Sequence, residues 1–210
     1  MKQFPKRDTD KLAADLAEIV GTDNVRRREA EILTYARDAT PMFWAKPQVV
    51  VFPQNTSHVS AIAAYATANE VPLIPRGSGT SLAAATVPIH GGIVMPMTRF
   101  TGVLSIDTAE QVAVVQPGVR TLDLSNAVEA VGLMYPPDPG SRHACTIGGN
   151  VATNAGGLRG LKYGVTGDYI LGLEIVLPTG EIIRTGGTLK KDVAGYDLTH
   201  LIVGSEGTLA

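Results

Sequence analysis

Residues 136–167 read PPDPGSRHACTIGGNVATNAGGLRGLKYGVTG, and the chain is organised around them. The stretch is too polar and too rich in glycine to be core alone. Gly148-Gly149 and Gly156-Gly157 flank Asn150-Val151-Ala152-Thr153-Asn154. Paired glycines let a backbone take positive φ and approach a ligand with no Cβ in the way. Asn150 and Asn154 each add an amide that both donates and accepts. Donor-rich backbone of this kind suits a flat, polar, anionic ligand. A second such stretch, PRGSGTS at residues 75–81, lies upstream. The two are expected to form two walls of one site.

PRGSGTS carries the equipment for a pyrophosphate. Gly77 and Gly79 allow consecutive N–H groups to turn inward as an anion nest. Ser78, Thr80 and Ser81 offer hydroxyls, and Arg76 offers fixed positive charge. The ordinary nucleotide motifs fail here. A Walker A loop needs a Lys before the Ser/Thr, and a GxGxxG fingerprint needs glycine where Leu82 stands. Taken alone, the loop reads better as a tight turn capped by serines. The density of Gly, Asn and Thr in the second stretch shifts that balance toward binding.

Composition narrows the class. At 210 residues the chain is one large domain or two small ones, and 44% hydrophobic content suffices for a real core. The net charge of −2 gives no argument for nucleic acid or an anionic membrane as partner. Cys145 is the sole cysteine, so no intrachain disulfide forms, in keeping with a reducing compartment and a cytoplasmic location. MKQFPKRDTDKL at the start lacks the apolar segment of a secretory signal. No run approaches the roughly 18 apolar residues of a membrane helix. A soluble protein with no transmembrane segment is expected.

In chain order, Thr9 or Asp10 is expected to cap a helix to Val20, ended by Gly21. A second helix follows over 28–36, and 38–46 reads as a connector. Val49 to Phe52 is a short strand. Ser57 is expected to cap a helix to Asn69, and Val71 to Ile74 forms the next strand. Strand, helix, strand is a βαβ unit with parallel strands, and PRGSGTS leaves the carboxyl end of the second, where ligands of open α/β sheets sit. Further strands are expected at 93–95, 103–106 and 112–116. Thr121 is expected to cap a helix to Val131. A hairpin over 169–177 and 181–185 turns at Pro178-Thr179-Gly180, and 197–203 reads as helix. The divisions are an N-terminal helical segment (1–46), a first subdomain (47–107) and a second (108–210).

PRGSGTS, PPDPGSRHACTIGGNVATNAGG, YGVTGDYILGLEIVLPTGE and KKDVAGYDLTHLIVGSEGTL occur in this order. Together they resemble the FAD-binding subunit of glycolate oxidase and, more broadly, D-2-hydroxyacid (D-lactate) dehydrogenases with a vanillyl-alcohol-oxidase-type FAD domain. The likeness runs from about Lys46 to Leu209. It implies an α+β, two-subdomain, PCMH-type FAD-binding fold, each subdomain a small sheet with flanking helices and the cofactor between them. It implies that Arg76, Gly77, Ser78, Gly79, Thr80 and Ser81 hold the pyrophosphate. Pro137, Asp138 and Ser141 would sit near the pyrophosphate and ribityl chain. Thr146, Gly148, Gly149, Asn150, Thr153, Asn154, Gly156 and Gly157 would line the cofactor. Gly164 and Ile170 would approach its adenosine end, and Glu206 and Gly207 would close the site. Some relatives link FAD through a histidine that aligns with Thr80, so FAD here is expected to be non-covalent.

The resemblance also implies a cap domain that binds a small 2-hydroxyacid, and other subunits of a glycolate oxidase complex as partners. The cap is absent from this sequence, and the FAD domain is expected to be truncated at Ala210. The chain by itself is therefore expected to be inactive. No residue reads as a catalytic base. His58, His90, His143 and His200 are scattered, and no metal site is expected. Two other functions compete: a flavin-binding or electron-transfer module without catalysis, and an enolpyruvyl-sugar reductase on the same fold.

Overall fold

A computed structural model describes residues 8–210. The expectation about a secretory signal falls mostly on residues 1–7, outside the described residues. Two compact units divide the chain: Met1–Arg99 with Val176–Ile182, and Phe100–Ile175 with Ile183–Ala210. The expected division after residue 107 instead falls between the two strands of one hairpin, and the N-terminal helices belong to the first unit.

The first unit begins with α1, Thr9–Val20. Its cap is Asp8, not Thr9 or Asp10: the Asp8 carboxylate accepts from the Asp10 N–H at 2.8 Å. Asp8 wins because its own backbone is still extended while its side chain reaches the first-turn donors. Leu12, Ala13, Leu16 and Val20 are buried along one face. A short strand β1 (Val25–Arg26), absent from the sequence reading, precedes α2, Glu29–Ile32. The expected second helix continues only as a 3-10 turn over Leu33–Tyr35.

Next come β2 (Val49–Val51), α3 (Thr56–Ala68), β3 (Leu73–Arg76) and β4 (Ile93–Pro96). Asn55 caps α3 through the His58 N–H at 2.8 Å, so Ser57 lies inside the first turn. The sheet order is β1-β2-β4-β3. β2 and β3 are parallel, as a βαβ unit requires, but β4 lies between them and pairs with both. Ile32, Val50 and Val94 form a buried cluster covered by Tyr35, Phe52 and Ile74. The chain segment 176–182 joins this unit because α3 holds it: Ser60 Oγ donates to the Gly180 carbonyl at 2.5 Å, and Thr67 Oγ1 to that of Pro178.

The second unit holds the antiparallel pair β5 (Val103–Asp107) and β6 (Val112–Val115). After it come α4 (Thr121–Glu129), α5 (Ile147–Thr153) and α6 (Gly160–Tyr163). Arg120, not Thr121, is the residue before α4, and Thr121 is its first helical residue. The hairpin strands β7 (Gly172–Val176) and β8 (Ile182–Gly186) form a second two-stranded sheet. β7 starts later than expected because Thr166–Tyr169 closes a 3-10 turn. The last helix, α7, spans Leu198–Ile202 and is capped by Asp197. Val119, Leu124, Val128, Ile147 and Val151 form the core, with Tyr135, Ile170 and Val203 packed against it. Among the described residues, no helix is long and apolar enough to cross a membrane.

Candidate cofactor site

Arg76 is the last residue of β3 and is 7% exposed, and the loop 77–81 begins after it. Its guanidinium donates to Thr86 Oγ1 at 3.1 Å and lies over the Tyr35 ring, 5.6 Å from the centroid. Burial lowers its pKa, and the Asp38 carboxylate opposes that shift. The charge expected to face a ligand therefore sits behind the loop. Gly79 explains how: at φ +74° it takes the left-handed region, and a Cβ there would overlap the guanidinium. The Gly79 and Thr80 N–H groups donate to no protein acceptor among the described residues. Ser78 is exposed, and Gly77, Gly79, Thr80 and Ser81 are half-buried. Ser81 Oγ accepts from the Ala83 N–H at 3.1 Å, leaving its own proton to donate. This is a cationic, donor-rich loop that fits a pyrophosphate.

The glycine-rich segment is built differently. IGGNVAT is a helix, α5, rather than the loop its glycines suggest. Thr146 caps it, with Oγ1 accepting from the Gly149 N–H at 3.3 Å. The other first-turn donors are engaged as well. The Ile147 N–H donates to Val119 O, Gly148 to Pro117 O and Asn150 to Thr146 O. A Cβ on Gly148 would stand 2.6 Å from Pro117 Cβ, so this glycine lets the helix sit against Pro117. Gly157 has the same role more severely, because a Cβ there would overlap the Asp138 carbonyl. These glycines serve chain-to-chain packing, a use the sequence does not separate from ligand approach.

The remaining expected residues form the frame of the second unit. Asn150 is 2% exposed and donates to Thr121 Oγ1, which in turn lies 3.3 Å from Cys145 Sγ. Thr153 Oγ1 donates to Gly149 O at 3.0 Å. Asn154 ends α5 in the left-handed region, and its Oδ1 accepts from the Gly167 N–H at 2.8 Å. Asp138 accepts from Arg142 at 2.9 Å, and Arg159 stands 3.7 Å away. Pro137 is buried, and the Ser141 carbonyl accepts from the Cys145 N–H. Gly156 is half-buried, with Val165 beside it. Gly164 makes room for the Asp168 carboxylate, and Ile170 packs on the core. Glu206 donates its N–H to Ala152 O, which pins the turn containing Gly207 to α5. His143 is exposed, and Cys145 is buried, as a small core residue should be.

Sequence reasoning missed the support beneath the first loop. Asp38 and Thr40, placed in a connector, are both buried. Asp38 Oδ1 accepts from the Thr40 N–H at 2.9 Å, and the Ala39 N–H donates to Ser81 O at 3.1 Å. The Asp-x-Thr spacing of an Asx turn was the available signal.

The α+β fold agrees with that of its relatives. The FAD binding domain family matches residues 47–186, and the chain belongs to that family. Glycolate oxidase subunit GlcD of Bacillus subtilis (strain 168) is 52% identical over 201 residues, covering 96% of this chain and 43% of that protein. D-lactate dehydrogenase of Anaerostipes hadrus is 45% identical over 165 residues, covering 79% of this chain and 34% of that protein. Among solved structures, an alkyldihydroxyacetonephosphate synthase superposes with a TM-score of 0.82 at 25% identity, covering 97% of this chain and 42% of that one. The chain thus spans less than half the length of the relatives it matches. The expected FAD-binding fold is the fold found, and FAD is the cofactor of the family.

Proposed function

We propose that this chain is the FAD-holding part of an oxidoreductase that converts a D-2-hydroxyacid, such as glycolate or D-lactate, to the 2-oxoacid. The observation that carries the reading is the 77–81 loop, with unengaged N–H groups at Gly79 and Thr80 above a buried cation. Those N–H groups and the hydroxyls of Ser78, Thr80 and Ser81 hold the pyrophosphate, and Arg76 acts on it through the loop. In the second unit, the accessible Gly149, Thr153, Asn154 and Gly156 contact FAD. Thr146, Gly148, Asn150 and Gly157 keep those contacts in register. When bound, the flavin supplies the two-electron acceptor for the substrate C2–H. Thr80 offers a hydroxyl where some relatives have histidine, so FAD is held without a covalent bond. The names of the relatives support both substrates, and the word subunit in one of them supports further protein partners.

Acid precipitation of protein loaded with FAD tests the binding. The flavin absorbance is expected in the supernatant, and flavin kept in the pellet overturns the non-covalent reading. Absence of a flavin band at excess FAD overturns the loop reading. Anaerobic addition of glycolate or D-lactate to the longest polypeptide containing this chain is expected to bleach bound flavin. An unchanged spectrum with both acids overturns the substrate class.

A further inference from the structure

We infer that Asp38 is a positioning residue for FAD binding: it restrains the Arg76 guanidinium beneath Gly79 and so fixes the 77–81 loop. This rests on the proposed binding of a pyrophosphate by that loop.

Asp38 is 8% exposed. One oxygen accepts from the Thr40 N–H, while Oδ2 is buried with no hydrogen-bond partner. A buried carboxylate oxygen without a partner is costly unless a nearby charge compensates it. Arg76 is the complementary case. A guanidinium carries five N–H donors, and the bond to Thr86 engages one of them. Both groups are buried, and the Asp38 charge acts on Arg76.

The backbone ties the pair to the loop from both ends. The Ala39 N–H, one residue after Asp38, donates to the carbonyl of Ser81, the last loop residue. Arg76, the first residue before the loop, has its guanidinium packed against Gly79. Removing the Asp38 charge leaves a buried cation without its counter-charge, and such a cation moves toward water. Gly79 packs directly on the guanidinium, so the loop changes shape with it. Asp38 thus governs the anion site without touching the anion.

A double-mutant cycle with FAD titration by fluorescence tests this. Asp38→Asn and Arg76→Met are each expected to weaken FAD binding about tenfold, the loss associated with one charge-assisted contact. The double variant is expected to bind FAD no more weakly than Arg76→Met alone, because the effect of Asp38 runs through Arg76. Asp38→Glu, which keeps the charge, is expected to recover most of the affinity lost in Asp38→Asn. At saturating FAD, the 31P resonances of the bound pyrophosphate are expected to shift in Asp38→Asn and return in Asp38→Glu. A general loss of stability would not produce that pattern. Wild-type affinity with unshifted 31P resonances in Asp38→Asn overturns the inference, and so do additive losses in the double variant.

If the wild-type chain takes up no FAD, the proposed function fails first. The pairing is then read from unfolding free energies of the four apo proteins, where additivity overturns it. If Asp38→Asn does not fold, the double variant is expected to fold, since it buries no lone charge. Failure of both overturns the pairing.

Discussion

Gly79 and Gly157 both stand in short Gly-rich runs, and the two runs use glycine in opposite ways. At Gly79 and Thr80 the N–H groups donate to no protein acceptor among the described residues, the flanking residues carry hydroxyls, and the left-handed turn opens over a buried guanidinium. Around Gly148 the first-turn donors of α5 are already matched within the second unit, and at both Gly148 and Gly157 the missing Cβ atoms admit neighbouring backbone. The first region is arranged to receive a ligand, while much of the second is arranged to hold itself. The difference lies in where the hydrogen bonds go, since the residue types are nearly the same. Counting glycines therefore overestimates the number of residues that touch a cofactor.

The sharpest way to break this comparison is to add a methyl group to each region. Gly157→Ala is expected to destabilise the fold by about 3 kcal/mol, at the upper end of overpacking, because the obstacle is the Asp138 main chain. Chemical denaturation of the apo protein measures it, and a loss under about 0.5 kcal/mol, the range of ordinary surface changes, would refute the packing role. Gly79→Ala is expected to destabilise by about 1 kcal/mol from its left-handed backbone and to weaken FAD binding about tenfold. Stability thus dominates the response at Gly157 and affinity dominates at Gly79. Equal ratios at the two sites would erase the distinction.

Much of this organisation was legible in the sequence. Hydrophobic runs such as Val49-Val50-Val51 located the strands, and the Pro178-Thr179-Gly180 turn located the last hairpin. The caps were displaced by one or two residues, at Asp8 for Thr9 and Asn55 for Ser57, because several candidate oxygens stand together and only backbone geometry selects one. α5 was hidden by Gly148-Gly149, whose low helix propensity is overridden by the Thr146 cap and by the seat on Pro117. The place of β4 in the sheet also had to wait for the structure. β4 enters between β2 and β3, and a pairing between distant strands leaves no local signal. Asp38 and Arg76 are 38 residues apart, so their burial beneath one loop could not be read from either segment.

A smaller effect sharpens the reading of the first loop. Thr80→Ala removes a hydroxyl while leaving the N–H that the loop offers. The expected loss in FAD affinity is about fivefold, the range of one neutral hydrogen bond, with no change in unfolding midpoint. Isothermal titration resolves it. An unchanged affinity would assign the binding at this position to backbone alone.

The smallest effect concerns the second region, where one polar group is not matched. The Tyr135 hydroxyl is buried without a hydrogen-bond partner, and the neighbouring Thr166 hydroxyl is already donated to Ala155 O at 2.7 Å. Burial pushes the Tyr135 pKa up to about 12, with Thr166 only partly opposing it. The phenol is therefore neutral in the folded protein at a pH where the unfolded chain has begun to ionise. Its contribution to stability is fully present below the ordinary tyrosine value of 10 and is lost as pH rises toward about 12. Tyr135→Phe keeps the ring, including its edge-to-face contact with Tyr169 at 6.1 Å, and removes the unpaired hydroxyl. Near neutral pH the variant is expected to equal or exceed the wild type by about 1 kcal/mol, the desolvation penalty of the orphan group. It is also expected to lose less stability between pH 10 and about 12. Parallel denaturation curves across that range decide the matter. A destabilised Phe variant would mean that the hydroxyl has a partner after all, and the second region would then be fully self-satisfied.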